Sequence, residues 1–545
     1  MQLNMGDLFE AVAAQLPPEH PALIHDNQTI SWAELDRRSN RLGSALLAAG
    51  LDSGSKVAFY MRNRPAYMEL LIACFKSRLV HVNINYRFKD KELSYLFDNS
   101  DAEAVVYDAE FSPLIETVRK KHPQVKLWVQ IADSQHTGQH ITTPVDDFAI
   151  DYEQLLAQGD DRAIDLQRSP DDLLFIYTGG TTGMPKAVMW RQGDLLAAQF
   201  NSLAYLENRQ PPTELAQVLG RVRTVSMHTR QLPAAPLMHA TAVVVAFGAI
   251  MGGGTVITLP DRGGGFDAAA LWRAVERHRA TSLTIVGDSF AKPPLAELQD
   301  HPGRYRLDAL SGIISSGVIW SAPVKQALLE QLPAVMLLDN FGSTEAPACG
   351  TAIATRDGGV EQPVFRVGDG CKVFADDGRE IQPGSGEAGL IARAGPLPLG
   401  YYKDPQKTAK TFRTYQGVRY AVPGDHCLVQ ADGTLTLLGR QSQCINSGGE
   451  KVFAEEVEEV IKQHPAVNDA LVVGAPDPQW GEIVVAVVTL APQQTATEQQ
   501  IQAQVRDALA NYKTPKRVFF NTEITRLPNG KADYQRAKTY VLEQL

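Results

Sequence analysis

The sequence predicts a protein of mixed α/β and α+β class. A large N-terminal body would hold two doubly wound α/β subdomains and a small β-rich subdomain, followed by a small α+β C-terminal domain. Three observations carry this. Short apolar runs alternate with helical patterns up to about Pro363. The texture then becomes short runs broken by turn sequences such as Asp376-Asp-Gly, Pro383-Gly-Ser-Gly and Asp432-Gly. Beyond Arg440, an amphipathic helix and long apolar strands return in a stretch of viable domain size. The expected bounds are 1–440 for the body, divided near 1–170, 171–363 and 364–440, and 441–545 for the small domain.

In chain order, Val57–Tyr60 and Leu79–Ile84 read as strands, with a helix from Pro65 to Phe75 opened by its proline. Ala104–Tyr107 and Leu127–Ile131 continue the alternation. The polar stretch after Ile131 contains His136 and His140, too isolated to suggest a metal. Ala240 to Leu259 carries no charge and is long enough to span a membrane, but Gly248 and Gly252-Gly-Gly254 interrupt it. It reads better as a buried helix followed by a core strand. Val256–Leu259, Ser282–Val286, Gly312–Ile314 and Val335–Leu338 are strands of the second α/β region, with a helix over Ala268–Arg279. In the small domain Ala454–Gln463 is amphipathic, Leu471–Val473 and Ile483–Val488 are strands, and Thr497-x-x-Gln500 forms a capping box.

Composition bounds the function. The 545 residues, 44% hydrophobic and 21% charged, describe an ordinary globular protein. A net charge of −10 argues against a general nucleic-acid binder. Five cysteines without a C-x-x-C pair fit a reducing compartment and give no metal motif. Asp7 and Glu10 stand where a signal peptide would be basic, so a cytoplasmic protein is expected.

The stretch Tyr177-Thr-Gly-Gly-Thr-Thr-Gly-Met-Pro-Lys-Ala-Val188 follows the apolar run Leu173–Ile176. Its glycines permit close approach of backbone N–H groups to an anion, its threonines add hydroxyls, and Lys186 adds a charge. An ordinary polar loop is the competing reading. A Walker loop is excluded, because Met184 and Pro185 separate Gly183 from Lys186 and Ala187 follows it. Pro185 also prevents a smooth run into a phosphate-capping helix.

Four further segments follow in order: Asp339-Asn-Phe-Gly-Ser-Thr-Glu345, Pro423-Gly-Asp425 with Gly439-Arg440, Asn446-Ser-Gly-Gly-Glu-Lys-Val452, and Leu527-Pro-Asn-Gly-Lys531. Together with Tyr177–Val188 they resemble the motifs of the adenylate-forming superfamily, which holds acyl-CoA synthetases, peptide-synthetase adenylation domains and luciferases. Phe175–Gly180, Ile285–Asp288 and Ser315–Trp320 resemble the bacterial fatty-acid and sterol side-chain CoA ligases.

The resemblance implies ATP-dependent activation of a carboxylic acid to acyl-AMP, with release of pyrophosphate, then transfer to coenzyme A. A carboxylate is already nucleophilic at neutral pH, so the chemistry demands charge stabilisation rather than a general base. Lys531, Glu345, Thr344 and Lys186 would be the catalytic residues. Thr178, Gly179, Gly180, Thr181, Thr182, Gly183 and Lys186 would hold the phosphates, with Mg2+ on Glu345 and Thr178. Ser316, Gly317, Asp339, Asn340, Phe341, Gly342, Ser343 and Thr344 would surround the nucleoside, with Asp425 and Arg440 at the ribose. His239, Val286, Gly287, Gly317 and Gly342 would border the acid; a satisfied core histidine is the alternative for His239. Asp288 would either recognise a polar group or cap the following segment. Ser447, Gly448, Gly449 and Glu450 would serve the thioester step after rotation of a mobile C-terminal domain about Ser442.

The expected partners are a fatty or alicyclic acid, ATP and coenzyme A, with no nucleic acid and no transmembrane segment. Peripheral membrane contact and a homodimer stay open. Departures from the family pattern are the neutral Ser442, Ala187, Phe341 and Pro423. Another acceptor for the acyl-adenylate, luciferase-like activity, or a non-catalytic nucleotide-binding regulator are the alternatives. Retention of Lys531 and Glu345 argues against the last, and no aspartate stands near His239 to hold an amino-acid ammonium.

Overall fold

The computed structural model describes residues 3–134, 141–142, 144–178, 184–224, 229–260, 266–318, 320–358, 364–368, 370–440, 443–447, 450–477, 480–509, 511–524, 526–527 and 531–545. The α/β and α+β architecture is present: two large sheets with helices make the body, and a smaller sheet with helices makes the C-terminal domain.

Among the described residues an 8-stranded sheet has the order Gly400–Tyr401, Lys186–Arg191, Leu173–Thr178, Val80–Asn83, Lys56–Tyr60, Ala102–Asp108, Leu127–Ile131, Ile150–Asp151. A 15-stranded sheet has a parallel run, Pro21–His25, Thr255–Thr258, Arg230–Pro233, Ser282–Ile285, Gly312–Ser316, Met336–Phe341. It continues as antiparallel strands through Gly350–Ala354, Val364–Val367, Leu435–Arg440 and Asp425–Val429. The sheets exchange strands across residue 170. Pro21–His25 joins the second sheet, while Leu173–Thr178, Lys186–Arg191 and Gly400–Tyr401 join the first. Two helices fill the space between them. Pro65–Lys76 is buried from Ala66 to Lys76, as a helix apolar nearly all round must be. Its Phe75 ring meets Phe247 of helix Ala240–Met251 edge-on at 5.2 Å. The uncharged stretch is therefore a core helix followed by strand Thr255–Thr258. No helix among the described residues is long and apolar enough to cross a membrane.

The C-terminal domain shows strand periodicity directly. On Val467–Asp477 and Gly481–Leu490, Val472, Val484, Ala486 and Val488 face helices Ala454–Lys462 and Glu498–Ala508. Leu471, Val473, Val485 and Val487 face the other way, against Ala537 and Val541 of helix Tyr534–Gln544. The Thr497–Gln500 capping box forms as expected.

A carboxylate lies inside this core. Glu458 is 3% exposed, accepting from Val472 N at 2.8 Å and from the Tyr534 hydroxyl at 3.1 Å. Burial pushes its carboxyl from 4.5 up to about 7, against the opposing charge of Lys462. The folded state thus binds this proton more tightly than the unfolded chain. Its contribution is fully present below about pH 4.5 and is lost as pH rises through about 7, a change of about 3 kcal/mol. Glu458→Gln keeps the acceptor and removes the titration. Its urea midpoint should rise relative to wild type between pH 5 and pH 8 (roughly the window set by the two values); parallel pH curves would contradict this.

Candidate active site

The four neighbouring parallel strands Arg230–Pro233, Ser282–Ile285, Gly312–Ser316 and Met336–Phe341 all end on one edge. The segments leaving those ends are Ala234–His239, Val286–Gly287, Ser316–Gly317 and Gly342–Glu345. Crevices beyond the carboxyl ends of parallel strands are where open α/β sheets bind ligands.

The hairpin Leu173–Thr178/Lys186–Arg191 brings the other sheet to this edge. Its antiparallel register pairs Thr178 with Lys186, so the glycine-rich segment connects two strands rather than entering a helix. Residues 179–183 lie outside the described residues. Asn83, 4% exposed, anchors the hairpin. Its Oδ1 accepts from Tyr177 N at 2.7 Å, and its Nδ2 donates to Tyr177 O at 3.1 Å and Met238 O at 2.6 Å. One side chain thus ties the hairpin to the residue before His239. Asn63 supports the same segment through Leu237 N at 2.6 Å and Ala235 O at 3.1 Å. Asn83→Ala leaves these buried backbone groups unmet, at an expected cost of about 3 kcal/mol. The urea midpoint should drop accordingly and pyrophosphate release should slow; an unchanged midpoint would count against this anchoring.

Four sequence-expected residues meet around the hairpin. Trp190 Nε1 donates to Thr344 O at 3.1 Å. The Tyr401 hydroxyl donates to Glu345 Oε1, and Tyr401 sits on the strand paired with Val188. Lys186 is in ionic contact with Asp404, and its ammonium holds the Asp404 carboxyl below the usual range. Thr178, Lys186, Thr344 and Glu345 are therefore bound into one neighbourhood. Among the described residues no group of three or more His, Cys, Asp and Glu forms a metal cage. A single carboxylate such as Glu345, with the Tyr401 hydroxyl beside it, fits Mg2+, which keeps waters and takes phosphate oxygens.

His239 stands at the N-cap of helix Ala240–Met251. Burial pushes its pKa down to about 4, assisted by the positive charges of Lys531 and Arg87, so it is neutral at pH 7. Its buried Nε2 makes no hydrogen bond to any described residue. Lys531 belongs to the C-terminal domain, and its charge reaches His239 in the body. Leu527 N donates to Lys531 O at 2.7 Å, and residues 528–530 lie outside the described residues.

Other expected residues have different surroundings. Asp339 is buried and accepts from Lys325 Nζ at 2.8 Å; burial pushes its carboxyl up, opposed by that ammonium. Asn340 Oδ1 accepts from Thr351 Oγ1 at 3.0 Å. Phe341 is 8% exposed, its ring 5.5 Å from Phe365. A Cβ on Gly342 would come within 2.8 Å of Ala348 N, so its own turn requires glycine; Ser343 Oγ closes that turn on Ala346 N at 3.2 Å. Gly317 has φ +93°, and a Cβ there would point toward Thr241 and Val286 at 3.9 and 4.0 Å. Gly287 donates to Ser315 Oγ at 3.0 Å. Asp288 accepts from Ser321 N at 3.0 Å and Ser321 Oγ at 2.8 Å, which gives it a structural role at the start of helix Ala322–Gln331.

Asp425 is buried and pairs through its backbone with Arg440. Ser447 closes a hairpin with Glu450. Ser442, Gly448 and Gly449 lie outside the described residues. Asn63, Asn83, Trp190, Tyr401 and Asp404 were not singled out from sequence. Asn83 is embedded in an apolar strand run, and Tyr401 and Asp404 are distant in sequence from their partners, so no local signal marked them.

The comparisons agree with this geometry. Residues 9–402 match the AMP-binding enzyme family, and residues 456–531 match the AMP-binding enzyme C-terminal domain. The chain is 40% identical to a 3-oxocholest-4-en-26-oate–CoA ligase of Rhodococcus rhodochrous, covering 99% of this chain and 96% of the relative. It is 36% identical to a medium/long-chain-fatty-acid–CoA/3-oxocholest-4-en-26-oate–CoA ligase of Mycolicibacterium smegmatis, covering 100% and 97%. The fold is similar to that of the anthranilate CoA ligase AuaEII in complex with anthranoyl-AMP, with TM-score 0.83, 22% identity and coverage of 100% and 98%. With both family models matched in order and relatives of 36–40% identity aligned over nearly the full length, the chain belongs to the AMP-binding enzyme family and is an AMP-forming acyl-CoA synthetase.

Proposed function

We propose that this synthetase acts on a fatty acid or a sterol side-chain acid, and that its two half-reactions are divided among the residues above. The observation that carries the reading is that buried, neutral His239 lies within reach of two positive charges, Lys531 from the second domain and Arg87 from the body. Two anions, ATP and a carboxylate, must meet there, and fixed positive charge lowers the cost of that encounter.

In the first half-reaction a carboxylate oxygen bonds to the α-phosphorus and the bond to pyrophosphate breaks. His239 Nε2 donates to the acid's carboxylate and orients it. Lys531 neutralises charge between that carboxylate and the α-phosphate. The Thr178–Lys186 hairpin holds the β- and γ-phosphates, with Lys186 exchanging Asp404 for phosphate oxygens. Glu345 and Thr178 would hold Mg2+, which supplies charge neutralisation on the polyphosphate when bound. Asp425 and Arg440 hold the ribose, and Ser316–Gly317 and Phe341 flank the adenine. In the second half-reaction the thiolate of coenzyme A attacks the acyl carbon and AMP leaves, with Ser447–Glu450 admitting the pantetheine arm.

The substrate class rests on two supports. The relatives' names are those of sterol side-chain and fatty-acid ligases. Apart from His239, the expected acid contacts are apolar or small, namely Val286, Gly287, Gly317 and Gly342. Pyrophosphate release over a panel of fatty, sterol side-chain, aromatic and amino acids, with and without coenzyme A, tests this. Release only with aromatic or amino acids would overturn the substrate class, and acid-dependent release without thioester would overturn the acceptor.

A further inference from the structure

We propose that Lys292, Asp469 and Arg526 form a positioning relay that docks the base of the Lys531 segment on the body. The proposal rests on the assignment of Lys531 to acyl-adenylate formation. Lys292 lies on helix Gly287–Asp300 of the body, which begins at one of the four strand ends of the site. Its Nζ donates to the backbone carbonyl of Asn468 in the C-terminal domain and lies 3.5 Å from Asn468 Oδ1. Asp288, one turn earlier, stands 4.0 Å from that ammonium and is fixed by Ser321.

The acceptor is presented by a local irregularity. Strand Val467–Asp477 pairs Val467 with Leu490 and then Asp469 with Thr489, so Asn468 is an extra residue outside the ladder. A bulge of this kind turns one residue's backbone out of the pairing pattern. The next residue carries the relay inward. Asp469 accepts from Arg526 Nε at 2.9 Å and from Arg526 Nη2 at 2.6 and 2.8 Å, a forked pair with side chains only 15% and 21% exposed. Lys462 adds a second cation, 3.9 Å from Asp469. Arg526 in turn bridges to Ala532, and Leu527 N binds Lys531 O. The base of the lysine segment is therefore fixed to Asp469, and its neighbour Asn468 is fixed to the body. The Lys292 side chain is 34% exposed, so shortening it leaves the core beneath its helix intact.

A relay of this sort acts on one half-reaction, because it holds the domain orientation in which the Lys531 charge reaches His239. Acid-dependent exchange of radiolabelled pyrophosphate into ATP reads the first half-reaction; thioester formation from supplied acyl-adenylate reads the second. Lys292→Ala should lower exchange about tenfold, as loss of a hydrogen bond from a charged donor does. Thioester formation should keep its wild-type rate. Lys292→Arg should restore most of the exchange, and Asp469→Asn should lower exchange at least as far as Lys292→Ala. Unchanged exchange in Lys292→Ala, or equal loss in both half-reactions, overturns the relay, as does an arginine variant no better than alanine. If Asp469→Asn does not fold, the two Lys292 variants decide. Lys531→Ala separates the levels. Exchange that survives it removes the assignment on which the relay rests; exchange lost there but retained in Lys292→Ala removes the relay alone.

Discussion

Lys531→Ala should lower acid-dependent pyrophosphate exchange by about 10²–10³-fold, the cost of removing one charge-stabilising donor aimed at a transition state. Thioester formation from supplied acyl-adenylate should largely survive. The asymmetry follows from where the lysine sits. Its charge reaches His239 from the second domain and, with burial and Arg87, helps keep that histidine unprotonated. A cation there matters most when the carboxylate and the α-phosphate approach each other. Once acyl-adenylate exists, that repulsion is gone. Lys531→Arg keeps the charge but substitutes a planar fork for a compact ammonium, and should recover only part of the rate. Exchange unchanged in the alanine variant would refute the role.

Glu345→Gln should lower adenylation roughly a hundredfold at fixed Mg2+, with part of the loss recovered as Mg2+ is raised. The carboxylate is held by the Tyr401 hydroxyl, so a structural reading is also available: the substitution could simply loosen Tyr401. Tyr401→Phe distinguishes them. It removes the hydrogen bond and keeps the charge, and should cost about 1 kcal/mol without altering the Mg2+ dependence. Identical Mg2+ profiles for wild type and Glu345→Gln would exclude a metal role for Glu345.

The two predictions depend on different layers of information. Glu345 and Lys531 stand out in the sequence because each lies in a short motif whose order along the chain resembles a known family. What holds them does not stand out. Tyr401 and Asp404 belong to a turn-rich stretch and reach Glu345 and Lys186 only because Gly400–Tyr401 pairs beside Lys186–Arg191. Asp339 and Gly342 show the reverse. Motif position places both at the nucleotide, while packing gives Asp339 a buried partner in Lys325 and makes Gly342 a requirement of its own turn.

The sequence by itself determined the class of the fold, most of its elements and the order of its motifs. Period-2 and period-3.6 apolar patterns are local, and a segment displays them whatever it later packs against. Helix Pro65–Lys76, strand Leu127–Ile131 and the Thr497–Gln500 box were legible for that reason. Only the tertiary structure decided that Pro21–His25 joins the second sheet and Leu173–Thr178 the first, because strand partners distant in sequence leave no mark in local periodicity. It also decided that Asn83 ties the Leu173–Thr178/Lys186–Arg191 hairpin to the His239 segment, and that a bulge at Asn468 meets Lys292. Those contacts join residues far apart in the chain, and their geometry exists only after the sheets have assembled.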